Sequence, residues 1–561
     1  MQNKKDWQLP AGQLLFCVNC KEIVYFLLAN PSSSGKIILY ALYYLPKERC
    51  KVQRKKKTEN GILRLIFVAV ALLIQVAWIL VRVRLMNEYS DRIATITAIL
   101  AMIVVLKLNS KHTNSAMKMP WVMVIMALPV MGLSMYLLFE LLGDPGVGKR
   151  LRAVRNHLKR KDETMVEENL EDLFRQDPAA ANQFRYLWKA ADYPVYTNTR
   201  VSYYGEAKDA FAAMKEELNK AERFIFMEYF IVENGESFRE LEEILIRKAR
   251  EGVEVRLLYD DFGSVAKIGR SFARDLRQKG IRCQPFNPAS PVLNLFMNHR
   301  DHRKITVIDG KVGFTGGFNL SDEYFDLIRP YGKWKDTGIR LEGQAVRSLT
   351  SIFLELWYVQ TKEKEPADAY LDDSYRVLSQ GFVQPFADNP LETERIAENV
   401  YMNLINQANR SLYLMTPYLI ITDEMIHALG LAAKRGVDVR VITPGIPDKK
   451  TVYAVTRSYY AGLARQGVRI FEYSPGFCHA KQCICDGKVA CIGTSNLDYR
   501  SLYHHFENNV LLYGCEAVGK IEEDFEHLFP QCREVTENYA SGRGGMLRTW
   551  QYILRLFAPL M

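Results

Sequence analysis

The sequence predicts an α/β protein with two duplicated domains, each built on a mixed, mostly parallel sheet and preceded by an N-terminal transmembrane helical region. Long apolar runs lie before residue 142, a strand–helix–strand pattern begins near residue 200, and that pattern returns about 180 residues later. Strands that alternate with helices are typical of parallel sheets covered by helices. A period this long indicates duplicated domains rather than a solenoid.

Composition allows several domains and favours an anionic partner. The chain has 561 residues, 48% of them hydrophobic, and a formal net charge of +10. This charge suits a membrane surface, an acidic lipid or a nucleic acid, and it does not choose among them. The cysteines are irregularly spaced, so no secreted disulfide scaffold is expected. Cys17 and Cys20 lack the second pair that a zinc site needs, so no metal is expected.

The apolar runs predict the membrane region. Leu65–Val81 and Trp121–Phe139 approach the length of a spanning helix, about 20 residues, whereas Ile93–Leu106 is shorter. Basic residues flank the first and third runs and place both flanks in the cytoplasm, which requires an even number of crossings. Ile93–Leu106 is therefore expected to lie in the interface or to re-enter the membrane. The expected location is the cell membrane, multi-pass, with the later domains in the cytoplasm.

Changes in composition divide the chain into six expected segments. The final segment has one rough apolar face with arginines interspersed, which fits either the membrane interface or packing against the body. The expected segments are a cytoplasmic leader (1–60), a transmembrane region (61–142), a basic linker (143–200), a first repeated domain (201–370), a second repeated domain (371–545) and a C-terminal amphipathic helix (546–561).

Each repeat opens with a strand–helix–strand unit. The closing strands, GVEVRLLYD and GVDVRVITP, are closely similar, which supports a duplication. The first unit is predicted as Arg223–Val232, Glu236–Glu251 and Gly252–Asp260, and the second as Ser411–Ile421, Asp423–Arg435 and Gly436–Pro444.

One constellation of polar residues follows each unit at the same spacing. Positions i and i+2 of a strand face the same way, so each histidine points in the same direction as its lysine. Such a pair offers a nucleophile or proton carrier beside a fixed positive charge, which suits a phosphate, and each asparagine adds a neutral donor. The two copies are His302, Lys304, Asp309 and Asn319, and then His479, Lys481, Asp486 and Asn496.

One copy alone would form half a site, and packing the repeats face to face would surround one phosphorus atom. An isolated histidine is usually structural, but identical spacing in two copies favours a shared phosphate site. Asp309 and Asp486 belong to the candidate catalytic motif. Each precedes a glycine, which is typical of a turn, so we interpret them mainly as structural.

The duplicated H-x-K-x4-D motif resembles the phospholipase D superfamily, and its flanks are similar to those of bacterial cardiolipin synthases. The likeness runs from about residue 60 to the end and implies two phospholipase D-like domains behind membrane helices. It is carried above all by NHRDHRKITVIDGKVGFTGGFNLSDEY (298–324), KWKDTGIRLEG (333–343), SPGFCHAK (474–481) and GTSNLDYRS (493–501).

The resemblance implies a reaction between two phosphatidylglycerols that gives cardiolipin and glycerol through a phosphohistidine. By analogy His302 is the nucleophile and His479 the general acid and base, an order that the sequence leaves open. A carboxylate downstream of each motif is expected to orient the histidine of its own motif. This assigns Asp336 to His302 and Glu507 to His479. The resemblance implies no metal, nucleotide or other cofactor.

The implied partners are phosphatidylglycerol and anionic membrane lipid, and no nucleic acid is expected. The protein is expected to be membrane-integral, and homo-oligomerisation stays open. Three alternatives remain: a hydrolase or other phosphatidyltransferase of the superfamily, a membrane-tethered nuclease, and a basic scaffold that binds anionic lipid. The apolar runs argue against the nuclease, and the intact double motif argues against the scaffold.

Overall fold

A computed structural model describes residues 17–20, 23–26, 90–141, 145–159, 163–288 and 299–541 (112, 364, 365 and 373 excepted), with short pieces near residue 555. The chain divides into two units, Met1–Lys57 and Thr58–Met561. In the first unit, β1 (Cys17–Cys20) and β2 (Ile23–Phe26) form an antiparallel hairpin. The expected run Leu65–Val81 lies outside the described residues.

Three helices open the described part of the second unit: α1 (Ser90–Ser110), α2 (Ser115–Ala127) and α3 (Pro129–Leu141). Within the ranges given above, no helix combines the length and the apolarity needed to cross a membrane. The expected continuous span Trp121–Phe139 is wrong, because the helix ends before Leu128. A residue that precedes proline is disfavoured in the helical conformation, and Pro129 begins the next helix.

Helices α2 and α3 form a closely packed hairpin. A Cβ atom on Gly132 would lie 2.6 Å from the Cα of Ile125, so the approach requires glycine. The run Ile93–Leu106 lies within α1, where Ile96 is 57% exposed and Leu106 is 61% exposed. These helices therefore carry apolar surface that the rest of the described chain does not cover.

The expected basic linker (143–200) is instead largely helical and part of the body. Its apolar faces are buried in the main core, while its basic residues lie mostly on the outer faces of amphipathic helices. Arg155 fixes the first of these helices through ion pairs with Glu355 (2.9 Å) and Glu392 (2.7 Å). The helices are α4 (Pro145–Leu158), α5 (Thr164–Gln176) and α6 (Pro178–Ala191).

The first half is built on a seven-stranded sheet. Its strands are β3 (Thr199–Tyr204), β4 (Phe224–Tyr229), β5 (Glu254–Asp260), β6 (Arg282–Phe286), β8 (Lys304–Ile308), β9 (Val312–Gly316) and β11 (Gly338–Gly343), in the order β3-β11-β9-β8-β4-β5-β6. Its helices are α7 (Ala207–Asn219), α8 (Glu236–Arg250), α9 (Asp261–Ser264), α10 (Phe272–Gln278) and α11 (Val346–Thr361).

The second half repeats this strand order. Its strands are β12 (Phe382–Asp388), β13 (Ser411–Met415), β14 (Asp438–Pro444), β15 (Arg469–Tyr473), β17 (Gln482–Cys485), β18 (Val489–Gly493), β19 (His505–Tyr513) and β20 (Cys532–Glu534), in the order β12-β19-β18-β17-β13-β14-β15-β20. Its helices are α12 (Ile396–Gln407), α13 (Asp423–Lys434), α14 (Lys450–Ala464), α15 (Tyr499–Tyr503), α16 (Glu516–Leu528) and α17 (Thr536–Ala540).

The predicted duplication is confirmed, but the expectation of mostly parallel sheets is wrong. In each half, the path from β3 to β6 or from β12 to β15 contains four antiparallel pairings and then two parallel ones. The predicted strand–helix–strand units, β4-α8-β5 and β13-α13-β14, supply a parallel pair in each half. The motif strands instead form hairpins, β8–β9 and β17–β18, because a tight turn reverses the chain.

Two short parallel ladders join the halves. The strand β7 (Arg300–Asp301) pairs with the start of β19, and β10 (Lys333–Lys335) pairs with β16 (Gly476–Cys478). At the C-terminus, Leu554 is buried in the main core, and Arg555 lies 2.9 Å from Asp423. The described part of the expected segment 546–561 therefore packs against the body.

Candidate active site

The two ladders between the halves place the motif histidines. The main-chain N–H of His302 donates to the carbonyl of Phe506 at 2.9 Å, and that of His479 donates to the carbonyl of Lys335 at 2.7 Å. Each histidine therefore follows a strand that is hydrogen-bonded to the other half. This arrangement brings the two copies of the motif to one interface, as the duplicated spacing predicts.

Because of the register of the two ladders, the carboxylate of each half contacts the histidine of the other half. Nδ1 of His302 lies 2.9 Å from Oε1 of Glu507, and Nδ1 of His479 lies 2.6 Å from Oδ2 of Asp336. The expectation that each carboxylate orients the histidine of its own motif is wrong, because the ladders put each histidine opposite the carboxylate of the other half. A carboxylate ion only accepts, so Nδ1 carries the proton and Nε2 presents its lone pair.

The lysines lie beside the histidines, as strand alternation predicts. Nζ of Lys304 donates to the carbonyl of His302 at 2.5 Å, and Nζ of Lys481 lies 2.9 Å from Nδ1 of His479. Burial lowers the pKa of Lys304 to about 7 and that of Lys481 to about 8. Both ammonium groups are therefore poised to change charge near neutral pH.

Burial and the lysine charges hold both imidazoles neutral. The pKa of His302 is lowered well below its usual value by burial, then by Lys304, Lys481 and His479. The pKa of His479 is lowered to about 4 by burial and Lys481, against the opposing effect of Asp336. The charges of each motif act on the histidine of the other, so the two motifs share one electrostatic site.

The two candidate phosphate-binding asparagines differ. Oδ1 of Asn319 accepts from the N–H of Ile231 at 3.0 Å, and its Nδ2 donates to the hydroxyl of Tyr324 at 2.8 Å. Oδ1 of Asn496 is buried and has no hydrogen-bond partner among the described residues. This free atom of Asn496 is an acceptor, which a phosphate oxygen cannot satisfy, and the amide of Asn319 holds its own loop.

The motif aspartates hold the backbone and not the histidines. Among the hydrogen bonds of the described residues, none joins Asp309 or Asp486 to either histidine. Both aspartates have a φ of 55° and precede a glycine of positive φ, as a tight hairpin requires. Their candidate catalytic role is therefore corrected to a structural one. Asp309 accepts from the N–H groups of Glu222, Arg223 and Phe224, and Asp486 from those of Asn409, Arg410 and Ser411.

Sequence reasoning missed an aromatic ring that packs on each histidine. The ring centroid of His505 lies 5.4 Å from that of His302, and Trp334 lies 5.4 Å from His479. Each ring stands two residues before a site carboxylate, within or at the end of a strand, and this spacing is the signal that could have found it. The pseudo-symmetric site therefore differs here, with an imidazole in one half and an indole in the other.

One cluster of the described residues could in principle hold a metal ion: the donor atoms of His302, His505 and Glu507 lie within 4.8 Å of one another. The carboxylate of Glu507 already binds His302 and accepts from Oγ1 of Thr494 at 2.5 Å. A buried lysine from each motif adds positive charge at the same place. The charge balance favours a phosphate over a divalent cation.

Comparison with known proteins decides the family. A family profile described as "Cardiolipin synthase, PLD-like domain" matches residues 214–357 and 401–529, and one described as "Phospholipase_D-nuclease N-terminal" matches 96–140. A cardiolipin synthase of Halalkalibacterium halodurans is 35% identical over 478 residues, which span 83% of this chain and 93% of that protein. The chain belongs to the cardiolipin synthase family. The predicted superfamily and family are confirmed.

Two other matches show a similar sequence and a similar fold. A protein of Streptococcus mutans without an assigned function is 39% identical over 464 residues, or 82% of this chain and 99% of its own length. The solved structure of phosphatidylserine synthase from Haemophilus influenzae has a TM-score of 0.52 at 14% identity, covering 68% of this chain and 97% of that one. The structural likeness shows a shared fold. The two segments of the cardiolipin synthase profile fall on the two halves described above.

Proposed function

We propose that this protein is a cardiolipin synthase that transfers a phosphatidyl group from one phosphatidylglycerol to another and releases glycerol. The observation that carries the proposal is the crossed pair: His302 with Glu507 and His479 with Asp336, buried around two lysines. The curated cardiolipin synthase of H. halodurans, with which this chain aligns over most of its length, supports the choice of lipid product.

His302 is the proposed nucleophile. Its pKa lies well below the usual value, chiefly because it is buried, so Nε2 is unprotonated at neutral pH. Nε2 attacks the phosphorus of the first lipid, a P–N bond forms, and the P–O bond to the headgroup glycerol breaks. Lys304 and Lys481 lie beside the two histidines, and their ammonium groups stabilise the charge that builds on the non-bridging oxygens.

His479 is the proposed general acid and base. Burial and the charge of Lys481 lower the pKa of His479 to about 4. A bound phosphodiester anion offsets the lysine charges and raises that pKa, so the proton is held when substrate is present. His479 gives the proton to the departing glycerol oxygen. It then takes one from the hydroxyl of the second lipid, whose oxygen attacks phosphorus and breaks the P–N bond.

We place the protein at the cell membrane, with α1 to α3 in contact with lipid and the two halves in the cytoplasm. Large apolar side chains exposed on these helices support this placement, because water alone is a poor environment for so much apolar surface. Basic residues on both sides of the apolar N-terminal region, at 51–57 and at 149–161, support the cytoplasmic side. The exposed side chains are Ile96, Ile99, Leu100, Met102, Ile103, Leu106, Met119, Met123, Met126, Leu128 and Leu137.

The deciding experiment is a product analysis with the full chain reconstituted in phosphatidylglycerol vesicles. We expect cardiolipin and glycerol in equal amounts, and we expect His302→Ala to abolish both. His427→Ala is the matched control, because His427 is an exposed helical histidine outside the site. Phosphatidic acid without cardiolipin would identify a hydrolase instead, and DNA cleavage without lipid turnover would identify a nuclease.

A further inference from the structure

We propose that an apolar rim beside His479 inserts into the headgroup layer of an anionic bilayer and delivers lipid to the site from the membrane surface. The rim consists of Leu327, Ile328 and Ile446, together with the cations Arg329 and Lys449. The inference rests on the proposed function, because a lipid substrate is what brings the site to a bilayer.

The rim presents apolar side chains that the protein leaves in contact with solvent. Leu327 is 49% exposed, Ile328 is 41% exposed and Ile446 is 40% exposed. The two loops that carry them meet, since a Cβ atom on Gly332 would lie 3.2 Å from Cδ1 of Ile446. Gly332 also forms a bridge with Gly476, at the start of the ladder that leads to His479.

A cluster of tilted aromatic rings connects the rim to the catalytic histidine. The ring of Tyr331 lies 6.3 Å from those of Trp334 and Phe477. Those two rings lie 5.4 Å and 5.8 Å from the ring of His479. Because Trp334 and Phe477 are buried, the loop that continues from Arg329 to Tyr331 is anchored beside His479.

The outward charge of the rim matches an anionic surface. The side chain of Arg329 is 61% exposed while its partner Asp326 is 12% exposed, and Lys449 is 65% exposed while Asp448 is 15% exposed. The cations therefore face outward and the carboxylates face inward. Apolar side chains interspersed with exposed cations are typical of surfaces that lie in an anionic lipid interface.

The topology of the second sheet places the rim beside the apolar N-terminal helices. The strands β13 and β14 are parallel neighbours, so their carboxyl ends share one edge of the sheet. Ile446 follows the end of β14. Glu424, in the first turn of the helix that follows β13, accepts a hydrogen bond at 3.2 Å from Asn114, which caps α2.

One planar bilayer can therefore meet both the rim and the helices α1 to α3. This shared edge is why we assign the rim to lipid and not to a protein partner.

The first test measures depth in the membrane on the full chain, without reference to activity. An environment-sensitive fluorescent amino acid replaces Ile328 in one sample and Leu378 in the control. Leu378 is 92% exposed, and its neighbour Val377 bonds Asn198, at the end of the first sheet away from Asp336. In vesicles of phosphatidylglycerol with brominated lipid, we expect quenching at 328 and none at 378. The proposal would be overturned if the probe at 328 were not quenched, or were quenched no more than the probe at 378.

The second test separates lipid access from chemistry. We expect Leu327→Ser with Ile328→Ser to lower turnover of vesicle phosphatidylglycerol by about 10-fold, because membrane engagement is weakened. Turnover of a short-chain phosphatidylglycerol dissolved as monomers should stay within about twofold of the unmodified protein, as should Leu378→Ser on both substrates. If the double variant lost turnover of both substrates, or of neither, the proposed role of the rim would be contradicted. If the unmodified protein makes no cardiolipin in either format, the proposed function fails while the depth measurement still judges the rim.

Discussion

Nδ1 of His302 and the carboxylate of Glu507 lie 2.9 Å apart, although 205 residues separate them along the chain and they belong to different halves. The pair formed by His479 and Asp336 mirrors this contact at 2.6 Å. Each histidine is therefore oriented by a carboxylate from the other half. The chemistry requires the two duplicated domains to be assembled, and the short ladders between them set the geometry.

Replacing Glu507 with glutamine tests this crossed contact. The amide can donate as well as accept, so it no longer enforces the tautomer in which Nε2 of His302 is unprotonated. We expect the rate of covalent intermediate formation to fall by about 10²- to 10⁴-fold, with the fold retained. Rapid-quench measurement of the lipid–enzyme adduct gives the rate. Glu516→Gln, at an exposed carboxylate, should leave it unchanged. A normal rate in Glu507→Gln would refute the orienting role.

The assignment of the two histidines can be tested with a substrate whose leaving group needs no protonation, such as a nitrophenyl ester of a phosphatidyl group. We expect His479→Ala to accumulate an acid-labile adduct on the peptide that contains His302, because the first step no longer requires the general acid. His302→Ala should form no adduct. Mass spectrometry locates the adduct, and finding it on His479 in the His302→Ala protein would reverse the assignment.

The lysine pKa values predict an alkaline limit of activity. With pKa values of about 7 for Lys304 and about 8 for Lys481, these ammonium groups lose their charge as the pH rises toward 9. We expect kcat/KM to fall over this interval, because the neutral amines stabilise phosphate oxygens less well. Lys304→Arg should move the limit to higher pH, since a guanidinium remains charged.

This fall in activity is distinguishable from unfolding by its sign. Each lysine has a lower pKa in the folded state than in the unfolded state, so its burial destabilises the fold fully below pH 7. That penalty shrinks as the pH rises toward the unfolded value. The lysine contribution to the free energy of unfolding therefore increases with pH while activity decreases. Parallel loss of both, traced to these lysines, would contradict the prediction.

The motif aspartates should affect stability more than catalysis. Asp309→Asn keeps a residue that tolerates positive φ. It removes the negative charge of the carboxylate, which accepts hydrogen bonds from three main-chain N–H groups. We expect the free energy of unfolding to fall by about 1–3 kcal/mol for this variant and similarly for Asp486→Asn, with kcat nearly unchanged. Chemical denaturation and assays below the unfolding transition provide the measurements. A lost kcat in a fully stable variant would restore a catalytic role.

Replacing the buried imidazole of His505 should increase stability and decrease activity. Both of its ring nitrogens are buried without a hydrogen bond to the described residues, and Nδ1 lies 3.7 Å from Oε1 of Glu507, too far for a hydrogen bond. His505→Phe keeps a ring against His302 and removes the unpaired groups, so we expect the free energy of unfolding to rise by about 1 kcal/mol. We also expect turnover to fall several-fold, because polar atoms beside the phosphate site are lost. Increased stability with full activity would show that the imidazole has no role in turnover.

The sequence by itself determined the duplication, the motif pairs and the units that contain them. These features are local: a lysine two residues after a histidine shares its strand face whatever the rest of the fold does. The break at Leu128 was also encoded locally, in Pro129, but the apolar character of the whole run obscured it. The burial of the four cysteines from 478 to 491, which lie on strands, follows from the same patterning.

Only the tertiary structure decided which carboxylate holds which histidine, and which rings pack beside them. Sequence spacing links Asp336 to His302, yet the register of β10 with β16 places it against His479. The strand pairings that join two domains depend on long-range packing, which the local spacing of residues does not encode. For the same reason, the sequence predicts two half-sites, but it does not predict which residues of one half complete the site of the other.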